Sequence, residues 1–246
     1  MKPAFKLHSP ETQTEYVIYV AAPKWPKRGK KAVPAVLFMD GDNQFAYAVK
    51  AYRKARAAKK VRPLLLVGVG YGASYGKPEN KRGRDYTPTA HHYEPGSGGA
   101  DAFLKFLRGT LWRELQRRYP VRDDVRGIAG HSLGSLLVLH ALLREPKFFT
   151  HHLASAPSIW WDDRSILRIA ARRRSKNNRL PARLFLCVGG KDSTSMLDDL
   201  ARFELQLAHK PFRQLELTSL QFPRRTHYNV LPDAFGEGLQ ILFGAK

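Results

Sequence analysis

Short apolar runs that alternate with helical segments constrain the fold of this chain more than any other feature of its sequence. These runs indicate buried or half-buried strands, and they are Glu15–Ala21, Ala35–Met39, Leu64–Val69, Val125–Ala129, His151–Ser155, Leu184–Val188 and Leu215–Phe222. The alternation predicts a mostly parallel central sheet with helices on both faces. Because 246 residues can bury one large α/β core but are few for two, we predict a single domain over residues 1–246.

The single cysteine and the lack of long apolar segments indicate where such a chain would reside. Cys187 lies inside an apolar run, and a lone cysteine cannot form an internal disulfide. The first residues lack the apolar stretch of a secretory signal, and no apolar run reaches the length of a membrane span. We therefore expect a cytoplasmic protein with no membrane partner. No residue spacing is typical of a metal site, and we expect no metal and no cofactor.

The chain is strongly basic, with 42 Lys and Arg against 21 Asp and Glu and a formal net charge of +21. A field of this sign attracts anions, such as acidic small molecules, nucleic acid or anionic lipid. The basic residues are spread along the chain, which is typical of a solvated surface. No basic motif with interleaved aromatic residues is present, so nucleic acid is not an expected partner.

The pentapeptide Gly130–Gly134 has the form G-x-S-x-G, with Ser132 at its centre. The pentapeptide alone is weak evidence, but here an apolar strand precedes it and an apolar helix follows it, as the nucleophile elbow of α/β hydrolases requires. Such a turn exposes the serine hydroxyl above the sheet edge and points the helix N-terminus at a developing oxyanion. We therefore predict an α/β-hydrolase fold, with Ser132 as the nucleophile and the Leu133 N–H as one oxyanion donor.

A serine nucleophile needs a general base, which in this topology follows both the nucleophile and the acid in the chain. His227 lies in a loop between the last strand and the last helix, and it is the predicted base. The other histidines after the nucleophile are placed in or beside helices and strands; they are His140, His151, His152 and His209.

The acid should follow a strand that lies between the nucleophile and the base in the sequence. The run Leu184–Gly190 leads directly into Asp192, which is therefore the predicted acid and would orient the imidazole. Asp198 and Asp199 are alternatives if the strand ends later or the loop is longer.

A further set of motifs resembles a known group of esterases. They are Phe38–Asp42 with Phe45, Arg82–Pro88, Gly98–Leu104, Gly130–Gly134, Ala156–Trp161, and His227 with Pro232. Together they resemble the Putative esterase family, which contains esterase D, and most of all its trilactone siderophore esterases of the enterobactin and salmochelin type. The resemblance runs from Tyr16 to Phe243, nearly the whole chain.

This resemblance implies an acyl-serine mechanism and roles for three more residues. By position, Asp42 would give the second oxyanion N–H, and Arg84 and Trp160 would line the acyl or aromatic side of the cleft. Many members of the family carry a glutamate soon after the late strand, where this chain has Lys191 and Asp192. Some siderophore esterases work with a Ser–His pair alone, so the resemblance leaves open whether an acid is needed.

These observations favour a serine esterase that hydrolyses a small-molecule carboxylic ester through an acyl-enzyme. The basic field would concentrate an anionic ester, such as a ferric catechol trilactone. Two alternatives stay open. One is acyl transfer to another acceptor, as in mycolyltransferase relatives of the fold, and the other is a non-catalytic protein that binds anions or nucleic acid. The sequence does not predict an oligomeric state.

Overall fold

An eight-stranded sheet forms the centre of the protein in a computed structural model that describes residues 1–25 and 31–245. The strands are β1 (Phe5–Ser9), β2 (Thr14–Ala21), β3 (Val33–Phe38), β4 (Leu65–Gly70), β5 (Val121–His131), β6 (His151–Ser155), β7 (Arg179–Gly189) and β8 (Arg213–Phe222). They lie in the order β1-β2-β4-β3-β5-β6-β7-β8. β1 and β2 pair antiparallel, and β4, β3 and β5 to β8 are parallel to one another. The predicted α/β-hydrolase fold is thereby confirmed.

Helices cover both faces of the sheet. They are α1 (Phe45–Ala57), α2 (Arg82–Asp85), α3 (Ala100–Phe106), α4 (Trp112–Arg118), α5 (Leu133–Arg144), α6 (Trp161–Lys176), α7 (Thr194–His209) and α8 (Leu231–Phe243). A π-helical turn, Leu107–Leu111, joins α3 to α4. No helix within the described ranges is long and apolar enough to cross a membrane.

The buried side chains form one cluster on each face of the sheet. Along β3, Val36 and Phe38 belong to the cluster under α1 and α8, whereas Ala35 and Leu37 belong to the cluster under α3 to α7. This alternation follows from the pleat, which points successive side chains to opposite faces. Every residue of β3, β4 and β6 is buried, because helices cover both sides of these strands. Such strands are therefore read in the sequence as continuous apolar runs.

The sequence located the buried parts of the strands and missed their exposed parts. β5 begins at Val121, earlier than predicted, because its first residues are polar and partly exposed. β7 also begins earlier than predicted, because its first five residues alternate buried positions with more exposed ones and so form no continuous apolar run. β1 was not predicted at all, since this five-residue edge strand alternates half-buried and exposed positions.

The carboxyl ends of neighbouring parallel strands bring three loops together. β5, β6, β7 and β8 are consecutive in the sheet. Ser132 follows β5 directly, Asp192 follows β7, and His227 follows β8. Parallel strands end at one edge of the sheet, and this edge is where open α/β sheets bind their ligands.

Candidate active site

Ser132 occupies a strained turn between β5 and α5. Its backbone has φ +57° and ψ −121°, which a residue with a side chain rarely adopts. A Cβ added at Gly130 would lie 2.4 Å from the backbone carbon and oxygen of Gly134, so only a glycine allows the helix to start so close to the strand. The Ser132 N–H donates to the Ser155 carbonyl at the end of β6, at 2.9 Å. These features are those of a nucleophile elbow.

Two open clefts meet at the Ser132 side chain. The first, called the arginine cleft, has a volume of about 550 Å³ and is lined by Tyr75, Gly76, Lys77, Pro78, Asn80, Arg82, Gly83, Glu94, Ser132, Leu133, Ser158, Trp160 and Trp161. The second, called the histidine cleft, has a volume of about 530 Å³ and is lined by Ser132, Trp160, Lys191, Asp192, Ser193, Met196, Thr226, His227 and Tyr228. Trp160 lines both clefts and is 49% exposed, so its indole is available to a ligand on either side of the serine.

His227 and Asp192 lie within hydrogen-bond distance. Nδ1 of His227 is 3.0 Å from Oδ2 of Asp192, and the Asp192 side chain is only 4% exposed. The two loops are joined by backbone, because the Lys191 N–H donates to the Arg225 carbonyl at 2.8 Å. A Cβ at Gly189 would lie 2.4 Å from that carbonyl oxygen, so the close approach of the loops requires glycine there. This pairing leaves Nε2 as the nitrogen able to accept a proton.

The Ser132 hydroxyl and the His227 ring share the histidine cleft but are not hydrogen-bonded to each other within the described residues. Ser132 Oγ instead lies 3.4 Å from the Ser158 hydroxyl. Catalytic hydrogen bonds are often long or poorly aligned before substrate is bound. The serine or the imidazole must therefore move to form this hydrogen bond before proton transfer.

The alternative candidates lie elsewhere. Asp198 is exposed on α7, and the neighbouring Asp199 is buried and pairs with Arg164 at 2.6 Å. His140 bonds Asp101 on α3 at 2.8 Å. The remaining downstream histidines lie in β6 and at the end of α7; they are His151, His152 and His209. The structure brings none of these side chains to the clefts at Ser132.

The two residues predicted to form an oxyanion hole both carry uncommitted backbone N–H groups. Within the described residues, the N–H groups of Leu133 and Asp42 donate no hydrogen bond. Leu133 lines the arginine cleft beside the serine, whereas Asp42 lines neither cleft. The Asp42 carboxylate accepts hydrogen bonds from the Tyr19 hydroxyl and the Tyr71 N–H, which hold the turn after β3 in place.

Arg84, expected to line the cleft, lies outside it. Its guanidinium donates to the buried Asp85 carboxylate at 2.7 Å and to the Thr14 hydroxyl at 2.8 Å, on the side of β2. Arg82, two residues earlier, lines the arginine cleft instead. The sequence motif that contains both arginines gave no signal for which of them faces the serine.

Arg82 is held rigidly at the wall of the arginine cleft. Its Nε and Nη2 donate to the two oxygens of the buried Asp40 carboxylate, at 2.9 and 3.1 Å. The guanidinium also lies over the rings of Tyr75 and Tyr86, at 4.7 and 5.6 Å from their centroids. Burial raises the pKa of Asp40, and the positive charge of Arg82 opposes that shift. Nη1 makes no hydrogen bond within the described residues and can bind a ligand oxygen.

Among residues 1–25 and 31–245, no group of three or more His, Cys, Asp and Glu side chains could hold a metal ion.

The fold and the site together define a serine hydrolase of the α/β-hydrolase class, with an elbow at the end of β5 and a late histidine that contacts an acid. Within this class, the model of the Putative esterase family matches residues 9–222, and the chain belongs to that family.

Characterised relatives refine this assignment. Ferri-bacillibactin esterase BesA of Bacillus subtilis is 31% identical over 246 residues, which cover 92% of this chain and 84% of BesA. Siderophore triacetylfusarinine C esterase of Aspergillus fumigatus is 36% identical over 162 residues, which cover 63% of this chain and 55% of that protein's length. The crystal structure of the BES protein from Bacillus cereus superposes with a TM-score of 0.87 at 25% identity, over 97% of this chain and 93% of that one. The resemblance to siderophore esterases is thus confirmed, and the chain is a serine esterase.

Proposed function

We propose that this protein hydrolyses the ester bonds of a polyester siderophore whose arms carry negative charge. The names of its relatives support the siderophore class, since they include a ferri-bacillibactin esterase and a triacetylfusarinine C esterase. One observation supports the negative charge of the substrate. The guanidinium of Arg82 lies on the cleft wall beside Ser132 with one nitrogen uncommitted.

Acylation of the enzyme follows from the arrangement of the elbow and the late histidine. Ser132 Oγ attacks the ester carbonyl while His227 Nε2 takes its proton as general base. Asp192 keeps the imidazole in the correct tautomer and stabilises its cationic form. The N–H of Leu133, which lines the arginine cleft, holds the oxyanion, and the uncommitted N–H of Asp42 is the second donor that the family resemblance implies. His227 then gives its proton to the departing alkoxide, and the lactone opens.

Deacylation uses the same groups in reverse. Water enters through the open clefts, His227 accepts its proton, and the hydroxide attacks the acyl-serine carbonyl. As the tetrahedral intermediate collapses, His227 gives this proton to the departing Ser132 Oγ, and the carboxylic acid product leaves and ionises in solution. An added alcohol could replace water at this step, so acyl transfer and hydrolysis differ only in the acceptor.

Basic side chains line both clefts, beside one acidic side chain in each. Lys77 and Arg82 line the arginine cleft together with Glu94, and Lys191 lines the histidine cleft together with Asp192. Three aromatic side chains at these clefts, Tyr75, Trp160 and Tyr228, are among the exposed large hydrophobic residues of the protein. Exposed aromatic faces next to cations are suited to flat, anionic groups such as catecholate arms.

The test compares a catecholate trilactone with a neutral p-nitrophenyl ester. Ser132→Ala should abolish hydrolysis of both esters and labelling by a fluorophosphonate. Arg82→Gln should raise KM for the trilactone about tenfold more than for the neutral ester, since of the two esters only the anionic one is attracted by the guanidinium charge. Arg82→Lys is the matched control, because it also loses the bidentate pair with Asp40 but keeps the charge.

Three outcomes would count against the proposal. If the Ser132→Ala enzyme still hydrolysed the esters, Ser132 would not be the nucleophile. If Arg82→Gln affected both esters equally, Arg82 would not form a subsite for an anionic substrate. Products esterified to an added alcohol, in preference to free acid, would identify an acyltransferase.

A further inference from the structure

A second histidine packs directly against the proposed base. His131, the residue before Ser132 in the elbow, is 4% exposed, and its ring lies with its centroid 4.5 Å from that of His227, at an interplanar angle of 44°. Nδ1 of His131 lies 3.1 Å from the hydroxyl of the buried Ser155 at the end of β6. We propose that His131 is a positioning residue, which supports the face of the His227 imidazole and fixes the direction in which Nε2 points. This inference rests on the proposed role of His227 as the base.

The position of His131 is itself tightly fixed. It is the last residue of β5, and β5 lies between β3 and β6 in the sheet. The Ser155 carbonyl accepts hydrogen bonds from the Ser132 N–H at 2.9 Å and from the Ser135 hydroxyl at 2.6 Å. The same residue that bonds the His131 ring therefore also holds the elbow. An imidazole fixed in this way is a rigid surface, whereas the loop of His227 is long and partly exposed.

The charge state of His131 suits a supporting role. Burial lowers the pKa of His131 to about 3, and the positive charges of His227 and Arg82 act in the same direction. The ring is therefore neutral at ordinary pH and does not repel the imidazolium that His227 becomes during acylation. Asp192 contacts the His227 ring through Nδ1, and His131 packs against the same ring with its own ring tilted by 44°. Two contacts from different elements leave an imidazole less freedom to rotate away from the serine than one.

The experiment separates ring contact from hydrogen bonding with three variants. His131→Ala removes the support and should lower kcat for a p-nitrophenyl ester about 10- to 100-fold with little change in KM, as expected for a misplaced base. His131→Phe restores an aromatic face without the bond to Ser155, and it should recover most of that loss. Ser155→Ala keeps the ring but releases one of its anchors, and its effect should be smaller than that of His131→Ala. His209→Ala, an exposed histidine at the end of α7, should leave kcat unchanged.

A double-mutant cycle shows whether His131 acts through His227. In a His227→Ala background, His131→Ala should add nothing to the loss, because the residue that it positions is already absent. The inference would be overturned if the losses in kcat of the two single variants added up in the double variant. It would also be overturned if His131→Ala raised KM by as large a factor as it lowered kcat. A fall in melting temperature that accounts for the whole loss of activity in both His131→Ala and His131→Phe would overturn it as well. If His227→Ala itself retains full activity, the proposed function fails instead, and the two failures are thereby distinguished.

Discussion

At the residue scale, the chemistry of this esterase depends on how one imidazole is held. His227 contacts Asp192 through Nδ1 at 3.0 Å, and the Asp192 side chain is almost fully buried. A buried carboxylate that bonds an imidazole stabilises the cation formed during proton transfer. This geometry favours a triad over the Ser–His pair that the family resemblance left open.

The acid can be tested with an isosteric change. Asp192→Asn should lower kcat about 10²- to 10⁴-fold, because an amide keeps the shape but neither stabilises the imidazolium nor enforces the tautomer. Asp198→Asn, six residues later and exposed on α7, is the matched control and should retain full activity. Steady-state kinetics on a p-nitrophenyl ester measures both. An Asp192→Asn enzyme as active as the parent would show that Ser132 and His227 work without Asp192 as an acid.

A different buried histidine should contribute to the acid stability of the protein, in addition to His131 and His151, whose pKa values burial also lowers. His152 in β6 is fully buried, and neither ring nitrogen has a hydrogen-bond partner within the described residues. Burial lowers the pKa of His152 to about 3, and the charge of His151 adds to the shift. Between this value and about 6.5, the ordinary pKa of histidine, the unfolded chain binds one proton more than the folded one. The free energy of unfolding therefore falls as the pH is lowered through this window and levels off below it.

Replacement of this ring should flatten the pH dependence. In His152→Leu, the slope of the unfolding free energy between pH 6 and pH 4 should be shallower by roughly 1.4 kcal/mol per pH unit, the value for one proton. Urea denaturation at several pH values gives the slope, and each variant serves as its own reference at pH 7. Parallel curves for the two proteins would mean that His152 is not titrated on unfolding.

At the scale of elements, the site depends on the junction between β5 and α5. The helix begins one residue after the serine, and Gly130 is the point of closest approach between the two elements. Gly134 faces the end of β3, where an added Cβ would lie 3.1 Å from the Met39 Cβ and 3.2 Å from Asp40 Oδ2. The elbow therefore relies on tight packing on both sides of the serine.

A single methyl group tests this packing. Gly130→Ala should destabilise the protein by about 1–3 kcal/mol and abolish activity, because the helix must move away from the strand. Gly236→Ala on α8 is the matched control, since its Cβ would meet Ala51 at an ordinary 3.9 Å. That change should stabilise the helix by about 0.5–1 kcal/mol. Thermal unfolding with parallel activity assays distinguishes the two, and an active, stable Gly130→Ala enzyme would contradict the close contact.

The short helix α2 explains why Arg82 and Arg84 diverge. Residues two apart on a helix point to opposite sides, since each step turns the chain by about 100°. Arg82 therefore reaches Asp40 and the cleft, and Arg84 reaches Asp85 and β2. From the sequence alone, the two arginines of this segment are equivalent.

At the scale of the whole molecule, the net charge of +21 should act on substrate capture. A positive field that spans the protein raises the local concentration of an anionic substrate, and dissolved salt screens it. The cations that line both clefts place part of that field at the serine itself.

Salt therefore provides a test that does not alter the protein. Between about 20 and 500 mM NaCl, kcat/KM for an anionic trilactone should fall by about tenfold, while that for a neutral ester stays nearly constant. The neutral ester controls for effects of salt on the catalytic groups. If kcat/KM for the trilactone did not change with salt, the net charge would have no part in substrate capture and would serve only to solvate the surface.

The sequence by itself located the seven strands β2 to β8 and predicted Ser132, His227 and Asp192 as the catalytic residues. Apolar runs located most of the buried strands, because strands covered on both faces carry mainly apolar side chains. β6 is the exception, with buried His151, His152 and Ser155. The G-x-S-x-G turn and the late loop histidine followed from local constraints on a strand-to-helix turn and from chain order. The tertiary structure alone decided which arginine lines the cleft, that β1 extends the sheet, and that His131 lies against His227. The arginine and histidine contacts join residues from elements distant in sequence, so they depend on how the elements pack and not on any local pattern. β1 pairs with its neighbour β2 but lacks the apolar run that would mark it in the sequence.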